Sequence, residues 1–452
     1  MQQHESCPPK ESDQASVPLK GSGKECDQLL NQDIQCIPLN DVPSKTHNEN
    51  LLKKKKKKKK KKNIKLNDLP EQDNSMFRCL NNWPSVKDSC QTDPPTIPII
   101  NMFPDKIFPL GEIQQYVGSN VYRTTDEEKR HVDKLFEEDY QDIRCAAECH
   151  RQVRKYAQSY CRPGMSMIDI CQRLEAKTKE LILASGLQCG YGFPTGCSIN
   201  HVAAHYTPNY GDMTILNYED VVKLDFGVHV RGRIIDSAFT IAFDPKYDNL
   251  VQATKDATNA GIREAGIDVK ISEVSAIIQE TIESYEIELN GKFIPIKPVA
   301  NLNGHSILPY QIHGGKSVPI VRTTLSDIME ENEVYAIETF ASTGLGRVIE
   351  SGECSHYMKD YEKGFVSLRL KNSKSLLHAI EQNFGTLAFC RRWLDDIGQT
   401  RHLIALKNLV ESEVIVPYPP LVDCKNSYVS QMEHTILLRP TCKEVVSRGC
   451  DY

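Results

Sequence analysis

Val221-Val222-Lys223-Leu224-Asp225-Phe226-Gly227-Val228-His229-Val230, then Arg231-Gly232, then Arg233-Ile234-Ile235-Asp236-Ser237-Ala238-Phe239-Thr240-Ile241: the reading of this stretch decides the fold. Two β-rich runs flank a glycine-bearing pair, which predicts a hairpin. Each run sets one acid among apolar residues. With the turn centred on Arg231-Gly232, Asp225 falls opposite residue 238. Asp236, two positions away, then points to the same sheet face. A buried carboxylate is costly unless it is hydrogen-bonded, paired or metal-bound. The hairpin alone therefore leaves two readings open: acids satisfied by backbone donors, or acids whose repulsion a dication removes.

Three further segments repeat the pattern. Asn301-Leu302-Asn303-Gly304-His305-Ser306-Ile307 carries His305 after an apolar strand expected near Pro298–Asn303. Tyr335-Ala336-Ile337-Glu338-Thr339-Phe340 and Gln431-Met432-Glu433-His434-Thr435-Ile436-Leu437-Leu438 each place one acid in a strand-like run. The set is Asp225, Asp236, His305, Glu338 and Glu433. Four carboxylates are more than a single zinc takes, and calcium favours a contiguous loop. Four acids with one imidazole suit two neighbouring transition dications, about 3.5–4 Å apart, with bridging carboxylates.

These segments, with Gly192-Phe193-Pro194-Thr195-Gly196-Cys197-Ser198, Ala203-Ala204-His205-Tyr206-Thr207-Pro208-Asn209 and Gly232-Arg233-Ile234-Ile235-Asp236, closely resemble the type 2 methionine aminopeptidases. The resemblance runs from about Gln91 to Tyr452. It rests on several spaced motifs in order; Asp-Phe-Gly alone also occurs in protein kinases, whose other motifs are missing here. The resemblance implies a pita-bread fold of class α/β (α+β). In it, pseudo-symmetric αββ units surround a curved antiparallel sheet, with a helical insertion late in the domain.

It also implies cotranslational removal of the initiator methionine where the second residue is small and uncharged, by water activated at two divalent ions (Co, Mn, Fe(II) or Zn). By resemblance Asp225 chelates one ion, Asp236 and Glu433 bridge both, and His305 and Glu338 complete the other. Glu338 is the implied general base. His205 contacts the scissile peptide, and His313, in Tyr310-Gln311-Ile312-His313-Gly314, hydrogen-bonds the substrate. Phe193, Ile312, His356 and Leu421 are candidates for the methionine pocket, each equally able to be ordinary core. His201, four residues before His205, mimics a helical two-histidine zinc pair, but no Glu follows it, so the metalloprotease helix motif fails. The alternative function is a non-catalytic ribosome- or RNA-binding relative on the same fold. Such a relative is expected to have lost ligands, and all five are present. Cleavage before proline would require different motifs and a folded N-terminal domain.

Around the motifs, Thr125-Asp126-Glu127-Glu128 predicts a helix start, with a helical pattern, continuous or with a break, running to about Tyr160. Met167 to Ser185 is a second helix ended by Gly186. Others follow at about 248–266 and 271–285. Residues from about 360 to 416 read as the helical insertion, ended by Pro417-Tyr418-Pro419-Pro420. The catalytic domain is thus expected over 91–452.

Residues 1–90 differ. They hold 17 basic and 12 acidic side chains, leaving 38 and 48 for the rest of a 452-residue chain of net charge −5. Ten consecutive lysines, Lys53–Lys62, cannot bury anything, and the polar segment is expected to be a disordered tail. Its expected role is electrostatic contact with ribosomal RNA; the substrate partners are nascent polypeptide N-termini. The start lacks a secretory pattern and no run approaches about 20 apolar residues, so a cytoplasmic protein without membrane contact is expected; a monomer is expected, though no sequence feature fixes the oligomeric state. Sixteen cysteines without one Cys-x-x-Cys suit reduced thiols rather than a zinc finger.

Overall fold

The computed structural model describes residues 91–452; the lysine-bearing tail lies outside the described residues. The hairpin pairs Val221–Val230 with Arg233–Ala242 in the predicted register, Asp225 opposite Ala238 and Gly227 opposite Asp236. Arg231 and Gly232 turn the chain with φ of 47° and 79°, the left-handed pair that matches the twist of a two-residue hairpin. A Cβ on Gly232 would overlap the Tyr310 ring, so glycine is required twice over there. Behind the hairpin lie the helices Glu137–Tyr160 and Met167–Ile182, sharing a core of residues such as Ala146, Val153, Ile170, Leu174, Leu224 and Phe239.

The second half repeats the plan. Val334–Ser342 runs antiparallel to Val429–Leu438, with Glu338 directly opposite Glu433. Asn303–Ile307 flanks the other edge, His305 opposite Ala336. The helices Asp248–Glu264 and Ile271–Glu283 cover this sheet with Leu250, Ala257, Ile278, Ile337 and Ile436 in the core. The halves meet where Arg233–Ala242 lies beside Val429–Leu438. Hydroxyls join them: Ser237 Oγ donates to Glu433 O (2.7 Å), Thr240 Oγ1 to Gln431 O (2.7 Å), and Thr435 Oγ1 to Asp236 O (2.6 Å). Satisfying these backbone groups lets two sheets butt together without leaving buried carbonyls unpaired. This is the pita-bread arrangement, with every strand pairing among the described residues antiparallel.

Several boundaries differ from expectation. The long helix does break, at Phe136, and its first part is capped by Asp126 accepting from Lys129 N. The next helix stops at Ile182, because Leu183 takes the left-handed position (φ 53°) ahead of Gly186. The strand expected at Pro298–Asn303 does not form there: Lys297–Pro298 is a two-residue strand and the chain then turns. Pro298 has no N–H for a ladder, and the Asn301 amide bonds both the N–H and C=O of Val348 (2.9 and 2.8 Å). His305 therefore sits inside a strand, not after one.

The segment expected as a helical insertion contains the helices Lys371–Asn383, Arg391–Asp396 and Leu403–Glu411. It also carries strands. Phe389–Cys390 and Ile415–Tyr418 flank His356–Lys359 in a small sheet, closed on its own core of Leu376, Ile380, Trp393, Leu406 and Leu409. Pro417 lies on the sheet edge, where a missing donor costs nothing.

Candidate metal centre and active site

Side-chain alternation brings the five predicted ligands together. Asp225 and Asp236 share one face of their hairpin. Glu338 and Glu433 are cross-strand neighbours, and His305, opposite Ala336, lies on that same face. Ligand atoms of Asp236, His305 and Glu433 all lie within 4.8 Å of one another, with His305 Nε2 3.5 Å from Asp236 Oδ2. Asp225 and Glu338 fall outside that tight trio. They are joined instead through Gln431, whose Nε2 donates to Asp225 Oδ2 (3.0 Å) and Glu338 Oε2 (3.2 Å). All five line one cavity of ≈ 240 Å³.

Gathering four carboxylates here works against their ionisation. Burial pushes Asp225 up to about 6, with the Gln431 bond opposing. Burial, then the neighbouring carboxylates, hold Asp236, Glu338 and Glu433 well above the usual range. Burial, then His313, pushes His305 down to about 3, so its imidazole is neutral. Asp225 Oδ1, Asp236 Oδ1 and Glu433 Oε2 are buried with no hydrogen-bond partner. Native interiors rarely leave such atoms unsatisfied. Acceptor-only oxygens and a neutral imidazole are the donor set of a divalent cation, so these residues fit metal.

The remaining predicted residues surround that floor. Phe193, His205, Ile312, His313 and His356 all line the cavity. His313 stands edge-on to His305 (ring centroids 4.7 Å, 90°), and His205 edge-on to Tyr418 (5.6 Å, 88°). Burial lowers His205 to about 3 and His356 to about 4, and lowers His313 too. The Asp-Phe-Gly glycine has a local purpose: a Cβ on Gly227 would overlap the Phe193 ring, which forms one cavity wall. Leu421 does not reach the cavity; it pairs with Ala204 and packs on the second core. His201 lies in the turn between Gly196–Ile199 and Val202–Ala204, away from the lining.

Sequence reasoning missed Gln431, Phe340, Met358 and Tyr418. Gln431 had a signal: it stands two residues before Glu433 in a strand, hence on the ligand face. Met358 and Tyr418 had none, since their strands bracket a segment read as helical.

Carboxylates and an imidazole converging between two αββ halves define a metallohydrolase. Residues 141–372 match the model of metallopeptidase family M24. Methionine aminopeptidase 2A of Arabidopsis thaliana is 59% identical over 80% of this chain and 82% of its own length. Methionine aminopeptidase 2 of Schizosaccharomyces pombe is 56% identical over 80% and 85%. A solved thermophilic Arx1 shares the fold, with a TM-score of 0.58 at 18% identity, covering 68% of this chain and 89% of that one. The chain belongs to the methionine aminopeptidase 2 group of the M24 metallopeptidases.

Proposed function

We infer that the chain removes the N-terminal methionine from nascent polypeptides whose second residue is small and uncharged. The observation that supports this most is the floor of four carboxylates and His305 beneath a largely apolar cavity. Asp225 would hold one divalent ion, Asp236 and Glu433 two in common, and His305 and Glu338 the second. Mn, Fe(II), Co and Zn all suit this set. Such ions lower the pKa of a water towards 7 and polarise the scissile carbonyl.

The chain's own groups do the rest. A Glu338 carboxylate oxygen takes the proton of the attacking water and delivers it to the departing amine. His205, whose Nδ1 is buried and unpartnered, keeps a ring nitrogen for the scissile amide. His313 donates a hydrogen bond to the substrate as charge develops. Phe193, Ile312, His356, Met358 and Tyr418 form a wall that excludes water and suits an unbranched thioether against aromatic rings.

Purified protein supplied with Mn²⁺, Co²⁺ or Fe²⁺ should release methionine from Met-Ala-Ser and leave a bulky second residue, as in Met-Arg-Ser, essentially uncut. Equal release from both, or none with any ion, would remove this reading. The catalytic body begins near residue 91 and is interrupted by the segment at about 360–416. Ten lysines support contact of the tail with ribosomal RNA in the cytoplasm. Among the described residues no helix is long and apolar enough to cross a membrane. Deleting residues 1–90 should leave peptide turnover unchanged and weaken ribosome co-sedimentation, with the difference shrinking as salt rises. Unchanged sedimentation would discard the tail's role.

A further inference from the structure

His205 has a backbone that needs holding. Its φ is 64°, a left-handed conformation that a non-glycine residue keeps only where its surroundings over-determine it. Its loop, through Thr207 and Pro208, is held by the inserted segment. Arg392, 1% exposed on the helix Arg391–Asp396, donates from Nε to Pro208 O (2.8 Å) and from Nη2 to Thr207 Oγ1 (3.1 Å). Its guanidinium is fixed in turn by a two-pronged pair with buried Glu175, both contacts 2.8 Å, on the helix Met167–Ile182. Trp393 Nε1 donates to the same carboxylate (3.1 Å). From just ahead of the strand His356–Lys359, on which the segment's small sheet is built, Ser355 Oγ donates to Thr207 O (2.7 Å).

We propose that Arg392 is a positioning residue for His205, and that the inserted segment serves catalysis as the clamp on the loop bearing this histidine. The planar fork is what the task needs. One guanidinium reaches a carboxylate, a carbonyl and a hydroxyl at once in fixed directions, which an ammonium cannot do. Arg392 does not itself line the cavity, and its hydrogen bonds reach the loop rather than the five ligands. The proposal rests on the role given above to His205.

Arg392→Lys keeps a cation beside Glu175 and loses the fork. In metal-loaded full-length protein it should lower kcat for Met-Ala-Ser by about 10–100-fold, the scale of a small misplacement of a reacting group. KM should stay within about twofold and bound metal should match the parent, because nothing that touches the methionine side chain or the ions has changed; the melting temperature should fall, because a buried two-pronged pair is lost, so kcat is read well below it. In a His205→Ala background the same substitution should lower kcat by less than about twofold, since the group it serves is gone. Ser355→Ala, a milder loosening of the same loop, should show the same non-additivity, and it carries the test if Arg392→Lys does not fold. An equal factor in both backgrounds would overturn the clamp, as would unchanged kcat in both variants. Full kcat in His205→Ala alone would remove that histidine's role and the clamp with it. A failed clamp looks different: His205→Ala is impaired and the factors multiply.

Discussion

Glu338→Gln should lower kcat/KM for Met-Ala-Ser by about 10³-fold or more while the chain stays folded; loss of a general base alone costs 10²–10⁴. The replacement has the same shape and keeps an oxygen that can accept from Gln431 Nε2, now 3.2 Å from Glu338 Oε2. It removes the charge and basicity on which the proposed proton transfer depends. It also relieves the stacking of one carboxylate directly across from another, Glu433, which like charges in a strand pair disfavour. Stripped of metal, Glu338→Gln should therefore melt above the stripped parent at neutral pH, a gain in stability set against a loss of function. Parent-like turnover would end the role given to Glu338. A lower melting point in the stripped variant would contradict the electrostatic account of the site.

Chelation should abolish turnover, and its effect on stability should depend on pH in a stated direction. Asp225 moves from an ordinary 3.8 up to about 6 in the folded chain, and burial, then mutual repulsion, raises Asp236, Glu338 and Glu433 well above their own ordinary values. Between those limits the folded metal-free chain binds more protons than the unfolded one. Stability then falls as pH rises from about 4 through 6 and beyond. A bound dication reverses the preference by favouring the charged oxygens. The rise in melting temperature on adding Mn²⁺ to stripped protein should thus be small at pH 5 and several degrees larger at pH 7.5, a saturated site being worth about 3 kcal/mol at 100-fold excess over Kd. Differential scanning fluorimetry at the two pH values reads this directly. A larger rise at pH 5 would overturn it.

Much of the site is legible in the chain because strand periodicity is short-range information. Once Arg231-Gly232 is read as a turn, the faces of Asp225 and Asp236 follow from counting, and the structure has that register. Glu338 and Glu433 read the same way within their own strands. That these two strands pair, with the acids directly opposed, required a contact between residues 95 apart in sequence. No local pattern records it. Gln431 lies on the ligand face by the same counting, but an uncharged amide in a strand has no charge-burial cost that would single it out as a site residue.

The errors share one cause. Pro298–Asn303 has the composition of a strand, yet the Asn301 side chain finds Val348, 47 residues away, and the backbone turns instead. The helical segment hides Phe389–Cys390 and is bracketed by His356–Lys359 and Ile415–Tyr418, strands of two to four residues, too short for a period to show. Leu421, open in the sequence between pocket and core, pairs with Ala204 and packs on the second core.

The sequence by itself determined the faces of Asp225 and Asp236, the candidate set of acids and imidazole, and the spaced motifs that resemble type 2 methionine aminopeptidases. Only the tertiary structure decided how the inserted segment reaches the active site. A buried arginine there spans Glu175, Thr207 and Pro208, holding the His205 loop from outside the cavity. The physical reason is range. Hydrogen-bond valence and side-chain direction are written residue by residue, but a guanidinium more than 180 residues away from the loop it holds meets that loop only after both halves have folded.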